Sequence, residues 1–153
     1  MAVELKGIDI PMKASANVGG GGLAQFTAVI LDASAGFADV IQATATTQPI
    51  FGVNQDEGDQ LVLNSATPPT VQAGESLRVR IAGLSKMVAG GAVTIGQFLQ
   101  VNASGQAVAI TSLNPATTAT NTFVIGQALS AATQAGDVIT VLLMQGLATL
   151  VTS

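Results

Sequence analysis

The sequence predicts an all-β fold, a small antiparallel β-barrel or β-sandwich with an extended N-terminal arm. Three observations predict it. Gly, Thr, Val and Ile are abundant while Glu, Lys and Arg, which fill most helices, are scarce. A hexapeptide of Gly, a polar residue and alternating apolar positions recurs four times. Short strand-like segments follow one another between Gly, Pro, Asn and Asp turns, the spacing of a sandwich or barrel.

The first element is the arm, residues 1–24. Pro11 removes a backbone donor, and the run from Gly19 to Gly22 confers maximal backbone freedom, so the segment makes a poor central strand. Ile8, Ile10 and Met12 nevertheless alternate with Asp9 and Pro11. The expectation is a local strand laid along the sheet edge of a neighbouring subunit or of a sister copy.

Residues 25–153 are expected to form a single β domain. Its first candidate strands are residues 26–31, 39–43 and 50–53. The hexapeptides are Gly58-Asp59-Gln60-Leu61-Val62-Leu63, Gly74-Glu75-Ser76-Leu77-Arg78-Val79, Gly96-Gln97-Phe98-Leu99-Gln100-Val101 and Gly136-Asp137-Val138-Ile139-Thr140-Val141. In each, Gly supplies a turn that tolerates positive φ, and the apolar pair two residues apart marks one face of the strand that follows. The second copy is the clearest, with Leu77, Val79 and Ile81 on one face and Ser76, Arg78 and Arg80 on the other. Further strands are expected at 87–88, 107–110 and 123–128, and residues 111–122, with Asn114, Pro115 and five Thr, read as a long loop.

Composition excludes much chemistry. The 153 residues contain no His, Cys, Trp or Tyr, so the usual Ser-His and Cys-His nucleophile pairs are ruled out, disulfides are impossible, and a structural zinc, which draws mainly on Cys and His, is not expected. A chain of this length buries roughly 70% of its unfolded surface and needs no disulfide. Five basic and nine acidic residues leave a net charge of −4, which argues against a phosphate-neutralising surface and hence against nucleic acid as partner. No charged side chain occurs from Met87 to Gly136, a surface poorly defended against association and so a sign of extensive protein interfaces. The N-terminus lacks the pattern of a secretory signal, and no apolar run approaches 18 residues. The expectation is a soluble protein made in a cytoplasm, with no membrane partner.

Candidate sites are few. Asp56, Glu57 and Asp59 resemble a hard-cation cluster, but Ser65 stands where an EF-hand needs Glu, so a solvated turn is the better account. A metal-dependent hydrolase using Asp56 and Asp59 is the enzyme alternative. The run from Gly19 to Gly22 lacks the Gly-Lys-Ser/Thr ending of a phosphate loop. Ser85 and Lys86 are adjacent, which on a strand points them to opposite faces, and Ser34 has neither a nucleophile-elbow glycine nor a His to serve it. No catalytic residue, cofactor site or metal site is expected. Arg78, Arg80 and Lys86 either form an exposed face paired with the surplus acids or anchor an acidic partner.

From about Gln25 to Met144 the chain resembles the small phage capsid decoration, or cement, proteins. The resemblance is carried by Gln25-Phe26-Thr27-Ala28-Val29-Ile30, Asp39-Val40-Ile41-Gln42-Ala43-Thr44 and Pro49-Ile50-Phe51-Gly52-Val53. It continues through Ala73-Gly74-Glu75-Ser76-Leu77-Arg78-Val79, Gly83, Val124-Ile125-Gly126-Gln127-Ala128-Leu129 and Ala135-Gly136-Asp137-Val138-Ile139-Thr140-Val141. Residues 1–23 carry none of it. The resemblance implies a structural virion protein on the outer capsid surface that binds the major capsid protein, reinforces the shell and assembles as a homotrimer. Ile8, Ile10, Met12, Arg78, Arg80 and Lys86 are then the candidate capsid contacts. A head-fibre or tail-associated β module is the structural alternative.

Overall fold

The computed structural model describes residues 6–35, 38–58, 69–110 and 122–148. Among them there is no helix. Nine strands form one mixed sheet: β1 (Gly7–Ala14), β2 (Ala28–Leu31), β3 (Asp39–Gln42), β4 (Gly52–Asn54), β5 (Ser76–Val88), β6 (Phe98–Val101), β7 (Ala107–Ala109), β8 (Thr122–Ala128) and β9 (Val138–Ala148). The strand expected at 61–63 and the loop at 111–121 lie outside the described residues.

The launching glycines behave as their sequence context requires. Gly58, Gly74, Gly96 and Gly136 all have φ between 84° and 93°. The last three open directly onto β5, β6 and β9. The polar residue after each glycine has a role that its position alone did not reveal. Glu75 Oε2 accepts the Gln72 N–H, Gln97 Oε1 accepts the Thr94 N–H, and Asp137 Oδ2 accepts the N–H groups of Thr133 and Gln134. Each side chain thus folds back to satisfy turn donors that the sheet cannot reach.

The strands are arranged in two circuits that share β5. In the first, pairing runs β1–β3–β2–β4–β5 and returns from β5 to β1. In the second it runs β5–β9–β8–β6–β7, and an isolated bridge from Ala107 to Ala89 brings β7 back to the end of β5. The expectation of purely antiparallel pairing needs correction at two places, the Ala89–Ala107 bridge of the second circuit and the β1–β3 pair of the first. β1 and β3 are parallel, through Lys13 with Asp39 and Ala14 with Val40. Three strands, β2, β4 and β5, complete the circuit through antiparallel pairs, and five strands, an odd number, cannot close with every pair antiparallel.

β5 replaces the two separate strands expected at 77–81 and 87–88. The strand passes through Gly83 with φ 86°. Its inward residues serve two clusters. Leu77 and Val79 pack with Met12, Ala14, Leu23, Val29, Val40 and Val71. Met87 packs with Val53, Leu99, Val101, Ile125, Ile139 and Val141. Burying each such side chain contributes about 1.5–3 kcal/mol relative to exposure, which makes these clusters the main source of stability.

The stretch expected as an arm enters the same fold. Residues 7–13 pair with β5 from Gly7 opposite Gly83 to Lys13 opposite Ser76, and Met12, Ala14 and Leu23 are buried. The alternation of Ile8, Ile10 and Met12 was a sound strand signal. Its sheet edge is supplied by this chain's own β5. Pro11 is tolerated because Ala14 donates toward β5 and Lys13 toward β3, so by alternation the missing Pro11 donor faces the β3 side, ahead of the point where β3 begins to pair.

Candidate functional site

The six residues singled out in the sequence fall on β1 and β5; the β1–β5 ladder sets five of them side by side, and Lys86 lies in the part of β5 that pairs with β9. Ile8 is 61% exposed, Ile10 is half-buried against the first cluster, and Met12 is buried within it. Arg78 and Arg80 project from the outer face of β5, as their alternation with Leu77 and Val79 required.

Both arginines are held by carboxylates. Arg80 Nε and Nη2 donate to the two oxygens of Asp9 at 2.6 and 2.9 Å, and Arg80 Nη1 donates to the Leu84 carbonyl at 2.8 Å. Arg78 Nε and Nη2 donate to Asp56 Oδ1, and the Arg78 backbone N–H donates to Asp56 Oδ2. The Arg80 hydrogen bonds hold the Asp9 carboxyl below its ordinary range against the opposing effect of burial. Each guanidinium is raised in turn by the carboxylate it binds. The two pairs differ in setting. Arg80 is 15% exposed and clamps β1 to β5, whereas Arg78 is 61% exposed and its pair is accessible to a partner. Lys86 is exposed further along β5, its ammonium 5.8 Å from the centre of the Phe26 ring. Phe26 holds that position with φ 59°, a strained conformation for a bulky residue, fixed by backbone bonds to Asn54 and Val88.

The hydroxyl and carboxylate groups considered for catalysis are engaged in structure. Ser85 is buried, donates to the Lys86 carbonyl and accepts from Gln55, while Lys86 points to the opposite face. Ser34 Oγ donates to Asp32 Oδ1, and Ser15 Oγ and Asn17 Nδ2 donate to Asp32 Oδ2. With the Ser34 N–H added, Asp32 ties the end of β2 to the turn after β1, and these bonds, led by that of Ser15, hold its carboxyl far below the ordinary value of 3.8. Asp56 belongs to Arg78, and Asp59 lies outside the described residues. No group of three or more potential metal ligands occurs among the described residues. No described helix is long and apolar enough to cross a membrane.

An apolar cleft of about 610 Å³ opens where β1 and β3 diverge, lined by Ile10, Pro11, Met12, Leu31 and Phe51 among others. Neither this cleft nor its neighbours converge polar side chains in the manner of a substrate site.

A family model described as phage cement protein matches residues 4–143. The solved structure of the head fiber gp8.5 N base in bacteriophage phi29 shares the fold, with a TM-score of 0.50 and 18% sequence identity over 90% of this chain and 93% of that one. No curated protein matches.

Proposed function

The chain belongs to the phage cement protein family and is a phage structural protein, and from that premise we propose that it binds the outer surface of the phage head shell as a homotrimer and stabilises it. The family match over most of the chain carries this reading. The physical basis is mass action. A subunit that bridges assembled capsid proteins but has little affinity for loose ones shifts the equilibrium toward the intact shell by RT ln(1 + [L]/Kd), about 2.7 kcal/mol per site when the free concentration is 100 times Kd.

The contact surface is built on β1 and the outer face of β5. Ile8, the edge of Ile10 and Arg78 reach the partner, with Lys86 further along β5, while Arg80 clamps β1 to β5 on that face and Met12 anchors β1 in the core. The Arg78–Asp56 pair is exposed enough to exchange partners, and a capsid carboxylate can replace Asp56 at little cost because exposed pairs contribute only about 0–1 kcal/mol. The major capsid protein is the partner.

The test is co-sedimentation with expanded shells that lack the protein, followed by heating of decorated and undecorated shells. Saturable binding and a higher disruption temperature are expected. Loss of binding in an Ile8→Lys variant of unchanged fold places β1 at the contact. Absence of any binding to such shells overturns the reading. The fold shared with a head fiber base supports a second reading, in which only a few copies join each particle, and the stoichiometry at saturation separates the two.

A further inference from the structure

The two circuits are two copies of one module. Pairing runs β3–β2–β4–β5 in the first and β7–β6–β8–β9 in the second. The registers coincide as well. Val29 stands opposite Gly52 and Leu99 opposite Gly126, while Met12 stands opposite Leu77 and Met87 opposite Ile139. An added Cβ at Gly52 would strike the Arg80 carbonyl and Val79 Cγ1, and one at Gly126 would strike the Leu142 carbonyl and Val141 Cγ1. The parallel contacts repeat too, Ala14 with Val40 and Ala89 with Ala107.

This equivalence gives Phe26 a counterpart. It lies three residues before Val29, as Gly96 lies three before Leu99. The Phe26 N–H donates to the Asn54 carbonyl and the Gly96 N–H to that of Ala128, and both residues have positive φ, 59° and 88°. The module therefore demands a left-handed backbone at this point. Gly96 adopts it without strain, and an added Cβ there meets nothing within 4 Å, so conformation alone selects glycine. A bulky residue adopts the same backbone only at a cost. Core packing does not offset that cost, because Phe26 belongs to neither apolar cluster and is not among the residues packed against them. Its ring lies instead by the Lys86 ammonium, which is exposed and makes no ion pair among the described residues. Beside the ring is a hollow of about 360 Å³ lined by Gln25, Pro69, Thr70, Val88 and Val138 among others, with no carboxylate in its wall.

We infer that Phe26 and Lys86 form a single anchor site, and that its occupant is an aspartate or glutamate of the head-shell subunit with the apolar residue beside it. The inference rests on the proposed capsid binding and names the feature recognised there. Charge complementarity selects the occupant. The Lys86 ammonium keeps donors that no described acid takes up, and the hollow next to it offers apolar wall without a competing negative charge. The ring gives the ammonium a fixed place. A lysine on its own swings on a flexible four-carbon stem, whereas the electron-rich face of an aromatic ring attracts the cation and holds it before the partner arrives. The incoming carboxylate then meets a placed cation at an apolar wall, where a charge-assisted hydrogen bond is worth more than in open water. Strain at Phe26 is the cost of that placement, which is why the counterpart in the other module, with no lysine to hold, is glycine.

The test measures folding and binding on the same full-length variants, with expanded shells that lack the protein. Wild type is expected to co-sediment saturably, and failure to do so overturns the capsid reading and the anchor with it. F26G installs the residue that the module itself uses at the equivalent point. It is expected to melt within about 2 °C of wild type or above it, because relief of strain offsets the greater freedom of glycine in the unfolded chain. Its Kd for shells is expected to rise at least about tenfold. K86Q is expected to melt as wild type does and to lose binding to a similar extent. The double variant F26G/K86Q is expected to bind within about threefold of the weaker single variant, since the ring acts through the ammonium. Shell binding by F26G equal to that of wild type, or losses that multiply in the double variant, overturns the anchor and leaves capsid binding standing. A fall of several degrees in the melting of F26G makes the ring a structural element and overturns the anchor as well. Sedimentation without shells completes the test: a change in self-association on F26G substitution gives the site to a contact between copies and likewise overturns it.

Discussion

Asp9 and Arg80 stand opposite each other in the β1–β5 ladder and are joined by two hydrogen bonds of 2.6 and 2.9 Å. The start of β1 is thereby fastened to β5, the longest described strand, beside a bulge between Ile8 and Asp9. A hydrogen bond to a charged group contributes about 1.5–3 kcal/mol, so Asp9→Ala is expected to lower the unfolding free energy by about that amount in urea titrations. Deleting residues 1–22 removes far more, because Met12 and Ala14 leave the core with the β1 ladder. The truncated protein is expected to be unfolded or severely destabilised by circular dichroism. The sequence by itself suggests instead that the domain survives this deletion, and a cooperative melting transition near that of the full chain would restore that view.

Gly83 cannot be replaced without strain. Its φ is 86°, and an added Cβ would lie 2.6 Å from the Lys6 carbonyl oxygen and 2.8 Å from the Gly7 Cα, both backbone atoms. Gly83→Ala is expected to cost at least about 2 kcal/mol. Gly91→Ala, where a Cβ meets nothing within 4 Å and φ is not positive, is expected to be neutral or slightly stabilising. Equal melting temperatures for the two variants would count against a backbone role for Gly83.

Acid is expected to destabilise the fold through three carboxylates. Asp9, Asp32 and Asp137 are all held below the ordinary value of 3.8 in the folded protein. The unfolded chain therefore takes up protons first as pH falls, so their contribution is complete above that value and is lost as pH drops through it toward the folded pKa. Between about pH 5 and 7 stability should change little on their account. In Asp32→Asn the acid limb of a stability-against-pH curve is expected to be shallower than in wild type, and an identical limb would remove Asp32 from the explanation.

Chelation is expected to leave the fold unchanged. Asp9, Asp32, Asp56, Glu75 and Asp137 are committed to arginines, hydroxyls and turn N–H groups, and no group of three or more potential ligands stands among the described residues. Treatment with EDTA should leave the melting temperature within about 2 °C, since a structural ion would contribute several kcal/mol and a shift of several degrees. A larger drop would point to a site involving Asp59.

What could be read in the sequence is what neighbouring residues decide among themselves. Gly58, Gly74, Gly96 and Gly136 announce positive-φ turns because few other residues adopt that backbone cheaply, and the alternation of Leu77 and Val79 with Arg78 and Arg80 sorts a strand into inner and outer faces because side chains alternate every residue. The absence of His and Cys removes whole chemistries without reference to any fold. Contact between distant residues was beyond its reach. The ring-closing pairs of β1 with β5 and β3, the bidentate grip of Asp9 on Arg80 across 71 positions, and the gathering of Ser15, Asn17 and Ser34 around Asp32 join segments whose local patterns do not mention one another. Gly83 shows the limit most plainly: its residue type permits positive φ, and only the approach of the Lys6 carbonyl in the folded chain makes it the point where one strand passes from the first circuit to the second. The residue types prescribe turns and faces locally, but an apolar edge such as Ile8, Ile10 and Met12 takes whichever backbone offers a matching ladder, and that choice belongs to the packing of the whole domain.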